Sequence, residues 1–158
     1  MSESVVVTGA AGFIGSHLCE RLLDEGFSVL GVDSITDYYS PARKRGNIDA
    51  LRLRPGFRFA EKDLASAAID RLLEGSSGVF HLAAQAGVRS SWGRDFRPYL
   101  ESNVLATQRL LEAMKERPGM KLVHASSSSV YGDAKELPTS EDAEKTPRSP
   151  YGATKLAA

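Results

Sequence analysis

The 158-residue chain has a single cysteine, no long apolar run and no excess of one charge, since 20 basic side chains are matched by 20 acidic ones. Each shortage excludes something. Cys19 alone forms no internal disulfide, and no Cys/His cluster has metal-ligand spacing, so a disulfide scaffold and a structural zinc site are excluded and no metal is expected. Charge balance removes the electrostatic footprint of a nucleic-acid binder or of a protein lying on anionic lipid. No stretch approaches the roughly 18 consecutive apolar residues of a membrane-spanning helix. The first ten residues carry neither the basic segment nor the apolar stretch of a secretory signal, so the expectation is a cytoplasmic chain with a reduced thiol. The remaining composition, 42% hydrophobic and 25% charged, is that of an ordinary globular domain.

Short apolar runs rich in β-branched residues alternate with segments of helical periodicity. Strands are predicted at Ser4 to Thr8, Ser28 to Asp33, Phe57 to Ala60, Val79 to Leu82 and Lys121 to Ser126. A helix is predicted from Phe13 to Asp24, with Ile14, Leu18, Leu22 and Leu23 at helical spacing and Gly26 just past its end. Pro41 to Leu53 is basic and weakly helical, and Ala65 to Leu73 reads as a helix. Pro98 to Arg117 places Leu100, Val104, Leu110, Leu111 and Met114 on one side before Pro118-Gly119 stops it. Strand-helix alternation with strands apolar on both faces predicts a parallel sheet with right-handed crossovers, a doubly wound α/β fold. Two stretches without periodicity, Ser34 to Arg45 and Gln85 to Arg97, follow the second and fourth strands. Loops at the carboxyl ends of strands form the ligand crevice of such folds, which makes both stretches candidate binding loops.

The first strand runs into Thr8-Gly9-Ala10-Ala11-Gly12-Phe13-Ile14-Gly15. In a dinucleotide-binding turn Gly9 permits the tight bend, Gly12 lets backbone approach a pyrophosphate, and Gly15 lets helix and strand pack closely. The helix N-terminus then offers unbonded N–H groups and a partial positive charge to the anion. A glycine-rich turn without a ligand is the competing reading of that motif alone. Asp33 closes the second strand, where an acidic residue hydrogen-bonds the adenosine ribose and repels a 2′-phosphate, favouring NAD over NADP. Arg43, Lys44 and Arg45 follow, and read as a solvated helix face or as nucleotide-sugar contacts ahead of NADP ligands.

Near the end, Tyr151 and Lys155 are four residues apart, which puts both on one face of a helix that Pro150 suits in its first turn. An isolated tyrosine loses its proton near pH 10, so a tyrosine base working near neutrality needs about 4 kcal/mol of help for its phenolate, part of which a neighbouring ammonium supplies. A surface helix carrying the pair by chance is the competing reading. Ala125-Ser126-Ser127-Ser128-Ser129-Val130-Tyr131-Gly132 lies upstream, after the fifth strand.

Val7 to His17, His81 to Ala86, Ser127 to Gly132, and Tyr151 with Lys155 together resemble the N-terminal part of an extended short-chain dehydrogenase/reductase of the NAD-dependent nucleotide-sugar epimerase/dehydratase family. The resemblance implies a Rossmann sheet and an NAD cofactor. It also implies Tyr151 as catalytic base, Lys155 on the nicotinamide ribose and lowering the tyrosine pKa, and Ser127 hydrogen-bonding the reacting sugar oxygen. Gly9, Gly12, Phe13, Ile14 and Gly15 would hold the pyrophosphate and Asp33 the adenosine ribose. Asp63 and Leu64 would flank the adenine, and Ala83, Ala84 and Gln85 would lie along the cofactor. Asn103 matches a family asparagine, and has an equal reading as a side chain that satisfies backbone groups beneath the site.

Family dehydratases carry an acidic pair directly after the catalytic hydroxyl residue. Ser128 and Ser129 stand there instead, and neither does that acid–base work near neutral pH, which disfavours 4,6-dehydration. Decarboxylating relatives commonly show a glutamate where Ser129 stands. What remains is 4-epimerisation. Asp33 to Tyr39 and Ala83 to Arg89 look most like UDP-glucuronate 4-epimerases, which implies a UDP-sugar substrate, with Ser128, Ser129 and Arg89 as candidate contacts to a sugar carboxylate. Arg89 reads equally well as a surface residue or a diphosphate contact. The resemblance further implies a homodimer, and residues 1–158 as an incomplete NAD-binding domain, with the rest of the catalytic helix, later strands and a substrate-binding region lying elsewhere. An NAD-binding module without turnover is the second expectation. His17 and His124 are expected without partners, His81 as structural, Cys19 as buried packing, and Trp92 as a lid or an interface anchor.

Overall fold

A computed structural model describes residues 3–158. They fall into two compact units, one holding the chain up to Ala83 together with Arg109–Ala125, the other holding Ala84–Gln108 and Ser126–Ala158.

The first unit is a five-stranded, wholly parallel sheet of β1 (Ser4–Thr8), β2 (Ser28–Asp33), β3 (Phe57–Glu61), β4 (Gly78–His81) and β5 (Lys121–His124), in the order β3-β2-β1-β4-β5. It carries α1 (Phe13–Asp24), α2 (Pro41–Arg52) and α3 (Ile69–Leu73). Val5, Val6 and Val7 are all buried, so β1 is covered on both faces, as a continuous β-branched run in a parallel sheet requires. Cys19, Leu22 and Leu23 of α1 and Ile48 and Leu51 of α2 pack with β1 and β2 into one apolar cluster. α1 ends where Gly26 adopts φ +88 and its N–H bonds the Leu23 carbonyl, a geometry that a residue with a Cβ rarely takes.

Several boundaries differ from the sequence reading, each for a local reason. The helix expected over Ala65 to Leu73 begins only at Ile69, because Asp63 captures the preceding turn: its carboxylate accepts Ala65 N–H and its carbonyl accepts those of Ser66 and Ala67. β4 stops at His81 because the Thr8 hydroxyl, together with its carbonyl, takes over the Leu82 N–H. β5 stops at His124, after a last backbone bond from Ala125 N–H to the His81 carbonyl.

The second unit is built from a 3₁₀ turn at Arg89–Ser91, a single helical turn α4 (Arg97–Tyr99), a π-helical stretch Leu100–Leu105, the start of α5 (Ala106–Lys115), a 3₁₀ turn at Ser128–Val130, and α6 (Pro150–Ala157). The sequence predicted one regular helix from Pro98 with five large apolar residues inward. The π stretch shifts the phase of that helix, and the inward stripe is Asn103, Ala106, Thr107, Leu110 and Ala113, while Leu100 and Leu111 are exposed. Among the described residues no helix is long and apolar enough to cross a membrane.

Candidate functional site

In the first unit the glycine turn occupies the point where the strand order reverses, between β1 and β4. Gly9 has φ +71, and a Cβ there would lie 2.8 Å from Ala83 N. A Cβ on Gly15 would collide with the Gly9 carbonyl. Gly9 and Ala10 N–H both bond the Val32 carbonyl, and Gly12 N–H bonds that of Gly9, which folds the turn back on itself. Gly12 is the N-cap of α1 without a side-chain cap, so the first-turn N–H groups have no intrahelical acceptor and are available to an anion. Phe13 and Ile14 point outward, 77% and 67% exposed. The cleft above this turn has a volume of about 730 Å³, and besides Gly9, Gly12, Phe13, Ile14 and Gly15 it is lined by His17, Tyr39, Arg43, Gly46, Asn47, Leu82 and Ala125. A nucleotide diphosphate fits the chemistry of this wall: donors without acceptors, and no side chain where the backbone must be approached.

Asp33 sits at the end of β2, its Oδ2 accepting from Ala11 N–H at 3.1 Å and its Oδ1 from Ile35 N–H at 2.8 Å. Each carboxylate oxygen keeps a second lone pair for a ribose hydroxyl. Asp63 lies at the end of the neighbouring strand, joined through Lys62 N–H to the Asp33 carbonyl, with the Leu64 side chain buried. Ala83 is placed by Thr8, whose hydroxyl accepts both Leu82 and Ala83 N–H and lies 2.7 Å from His81 Nδ1. With both lone pairs taken, the Thr8 hydrogen goes to His81, whose buried ring lies tilted against His124, centroids 5.3 Å apart.

Three expectations fail here, the first being that His124 lacks a partner, since its ring lies against His81. His17 has a partner, its Nδ1 bonding the Phe13 carbonyl at 2.8 Å. Lys44 is not on a solvated face: it is buried, donating to Thr36 Oγ1 at 2.9 Å beneath the Tyr39 ring, because a long aliphatic stem lets an ammonium reach a polar partner from inside. Arg45 does face solvent, paired with Glu61. Cys19 is fully buried, and burial, reinforced by Glu20, pushes its thiol up to about 12.

The second unit brings Ser127, Tyr151 and Lys155 onto adjoining elements. Ser127 Oγ accepts Ser129 N–H at 3.2 Å, capping the turn that holds Ser128 and Ser129, so its hydroxyl hydrogen is left to donate outward. Ser149 caps α6 by accepting Gly152 N–H at 3.0 Å, with Pro150 in the first turn. Gly152 is a residue the sequence reading missed: a Cβ there would lie 2.6 Å from the Ser129 carbonyl, so only glycine lets the Tyr151 helix abut the Ser127 turn. Lys155 is 5% exposed, and burial holds its ammonium below the usual range.

A side-chain network fixes this arrangement. Asn103 Oδ1 accepts Gln85 N–H at 2.7 Å, and its Nδ2 donates to the Gln85 carbonyl and to Thr154 Oγ1, which in turn donates to the Tyr151 carbonyl. Of its two sequence readings, satisfying backbone groups is the one this geometry displays. Ser91, also missed, accepts Tyr151 N–H at 3.0 Å and donates to the Val88 carbonyl, while the Tyr99 hydroxyl bonds the Ala86 and Gly87 carbonyls. Polar residues hidden in an aperiodic loop leave no periodic signal. Ala84, Arg89 and Trp92 are exposed. A second cavity, about 420 Å³ within residues 131–146, contains none of the predicted site residues.

A reversing parallel sheet with this glycine turn, an acidic residue ending β2 and a Tyr-x-x-x-Lys helix defines an extended short-chain dehydrogenase/reductase of the NAD-dependent epimerase/dehydratase type. The chain belongs to the family described as GDP-mannose 4,6 dehydratase, whose model matches residues 6–158. It is 48% identical over 153 residues to an uncharacterised UDP-glucose epimerase of Bacillus subtilis, covering 96% of this chain and 48% of that protein. It is 43% identical over 157 residues to a UDP-glucuronate 4-epimerase of Thermodesulfobacterium geofontis, covering 97% and 48%. Among solved structures, UDP-glucuronic acid 4-epimerase from Bacillus cereus in complex with UDP-glucuronic acid and NAD superposes with a TM-score of 0.92 at 46% identity, over 98% of this chain and 49% of that one. The chain thus spans about half the length of the relatives it matches.

Proposed function

We propose that this chain carries the NAD-binding and proton-transfer residues of a UDP-sugar 4-epimerase acting on UDP-glucuronate. The observation that carries the reading is the close approach of the Tyr151 helix to the turn after Ser127, which Gly152 permits at the Ser129 carbonyl, with Ser128 and Ser129 where a dehydratase needs acids. The first unit binds the adenosine diphosphate half of NAD through Gly9, Gly12, Phe13, Ile14 and Gly15, with Asp33 on the ribose and Asp63 and Leu64 beside the adenine. Ala83, Ala84 and Gln85 follow the cofactor.

Held by these residues, NAD would supply the acceptor for the sugar C4 hydride and the donor that returns it to the opposite face. Tyr151 Oη takes the C4 hydroxyl proton and gives it back after the 4-keto sugar has turned over. Ser127 donates to the same oxygen, stabilising the charge that develops there. Lys155, buried beside this helix start, binds the nicotinamide ribose and adds positive charge that favours the phenolate. Ser128, Ser129 and Arg89 contact the sugar carboxylate, hydroxyls and guanidinium being its natural donors. The fit to relatives that act on soluble UDP-sugars supports a cytoplasmic protein, and we infer a homodimer.

Conversion of UDP-glucuronate to UDP-galacturonate with NAD present tests this. Tyr151→Phe is expected to lower turnover by about a thousandfold while leaving NAD affinity unchanged. A 4-keto-6-deoxy product would replace the reading with dehydration, and NAD binding with no sugar converted would leave a binding module.

A further inference from the structure

The glycine turn forms only one side of its cleft. The other side comes from the segment after β2 and the first turns of α2, through Tyr39, Arg43 and Asn47. Asn47 serves the turn itself, donating to the Ala11 carbonyl at 3.0 Å. Tyr39 lies with its hydroxyl 3.9 Å from where a Gly12 Cβ would stand, over the backbone that a pyrophosphate approaches. The cations of α2 divide sharply. Arg45 is bonded to Glu61, Arg52 to Asp49, and Lys44 is buried under Tyr39, its Nζ 4.7 Å from the ring centroid. Arg43 alone lines the cleft, and it makes no ion pair among the described residues. A guanidinium without an acidic partner, facing a helix N-terminus that also attracts anions, is an electrostatic arrangement that a bound phosphate relieves.

We propose, building on the NAD reading above, that Arg43 and Tyr39 form the outer wall of the dinucleotide site, both donating to the adenosine-side phosphate, with Lys44 as a positioning residue that holds the Tyr39 ring. The Tyr39 hydroxyl acts as donor: burial, and secondarily the Asp33 carboxylate, raise its pKa and keep its proton on. The adenosine-side phosphate is selected by position, since Tyr39 lies between Gly12, where pyrophosphate is expected, and Asp33, where the ribose is.

Calorimetry with ADP-ribose, NAD and adenosine as probes tests the assignment on the chain as it stands. Arg43→Gln should weaken ADP-ribose and NAD roughly tenfold, with the loss shrinking as salt rises, and leave adenosine within about twofold. Tyr39→Phe should cost roughly threefold on the same two probes. Arg45→Gln, whose guanidinium is already occupied by Glu61, should bind like the parent. Unchanged ADP-ribose affinity in Arg43→Gln overturns the proposal, as does a loss confined to a 2′-phosphorylated dinucleotide. Failure of the unsubstituted chain to bind ADP-ribose or NAD at all overturns the cofactor reading on which it rests.

Discussion

The two units hold their candidate site residues by opposite means. In the sheet-bearing unit, apolar packing does it: the core cluster of β1, β2, α1, α2 and Phe57 lies entirely there, and Gly9, Gly12 and Gly15 are placed by where the backbone must pass. In the other unit the buried hydrophobics are few, Tyr99, Ala106 and Val130, whereas Ser91, Asn103, Thr107, Thr154 and Lys155 are buried beside them. Ser127 and Tyr151 are therefore positioned by directional hydrogen bonds. Apolar packing tolerates rearrangement but not added volume; a hydrogen-bond network tolerates volume changes at its edges but not the loss of a member. The roles proposed above match this division: a binding turn gains from the first property and a proton-transfer site from the second, since proton transfer depends on angles as well as distances.

Gly15→Ala gives the largest test of the contrast. Its methyl enters the Gly9 carbonyl, and the variant should lose about 3 kcal/mol in urea unfolding, and ADP-ribose binding with it. Stability within experimental error of the parent would show that the turn is not volume-limited. Asn103→Leu comes next: shape is roughly kept while the Gln85 N–H and carbonyl lose their partners, at about 2 kcal/mol. Hydrogen exchange should speed up over residues 84–108 and 150–157, with ADP-ribose affinity within about twofold; equal loss of protection in the sheet would erase the distinction between the units.

The smallest effect is read from pH, at the onset of titration just above pH 8. Burial raises the Cys19 pKa in one unit and lowers that of Lys155 in the other, so the two titrate with opposite signs. Cys19 contributes stability that is complete below the ordinary thiol value of 9.0 and is lost as pH climbs towards about 12, because the unfolded thiol ionises first. Lys155 is held charged against its burial at low pH, and stability is regained as pH rises through its folded value towards 10.5, where the unfolded amine also deprotonates. Urea titrations from pH 8 upward should show the parent losing ground to Cys19→Ala and gaining ground on Lys155→Met. Parallel trends would mean that one of the two groups is not desolvated.

The same contrast governs what was legible in the sequence. β1, α1 and β2 begin and end where periodicity and Gly26 place them, because burial on a regular element writes a regular pattern. The boundaries at Ala65 and Leu82 differ because single side chains, Asp63 and Thr8, capture backbone groups that propensity assigns to the next element. The π stretch at Leu100–Leu105 leaves no pattern, since both its leucines are exposed while Asn103 is buried. Tyr151, Lys155 and Ser127 stand out in the sequence only through motif resemblance, whereas Ser91 and Gly152 carry no periodicity and show their structural parts only through a bond and a close contact.

Ile35 stands at φ +50, a conformation that costs a β-branched residue about 1 kcal/mol or more, and its N–H is clasped by Asp33 Oδ1. Asp33 is thus a structural fastener as well as the acidic group proposed to face the ribose. A redesign that exchanges it for a neutral or basic residue to admit a 2′-phosphate would also release this turn and the loop leading to Tyr39. Changing cofactor preference here is for that reason a two-site problem: the partner substitution is Ile35→Asn or Ile35→Gly, which takes the left-handed turn without needing the clasp.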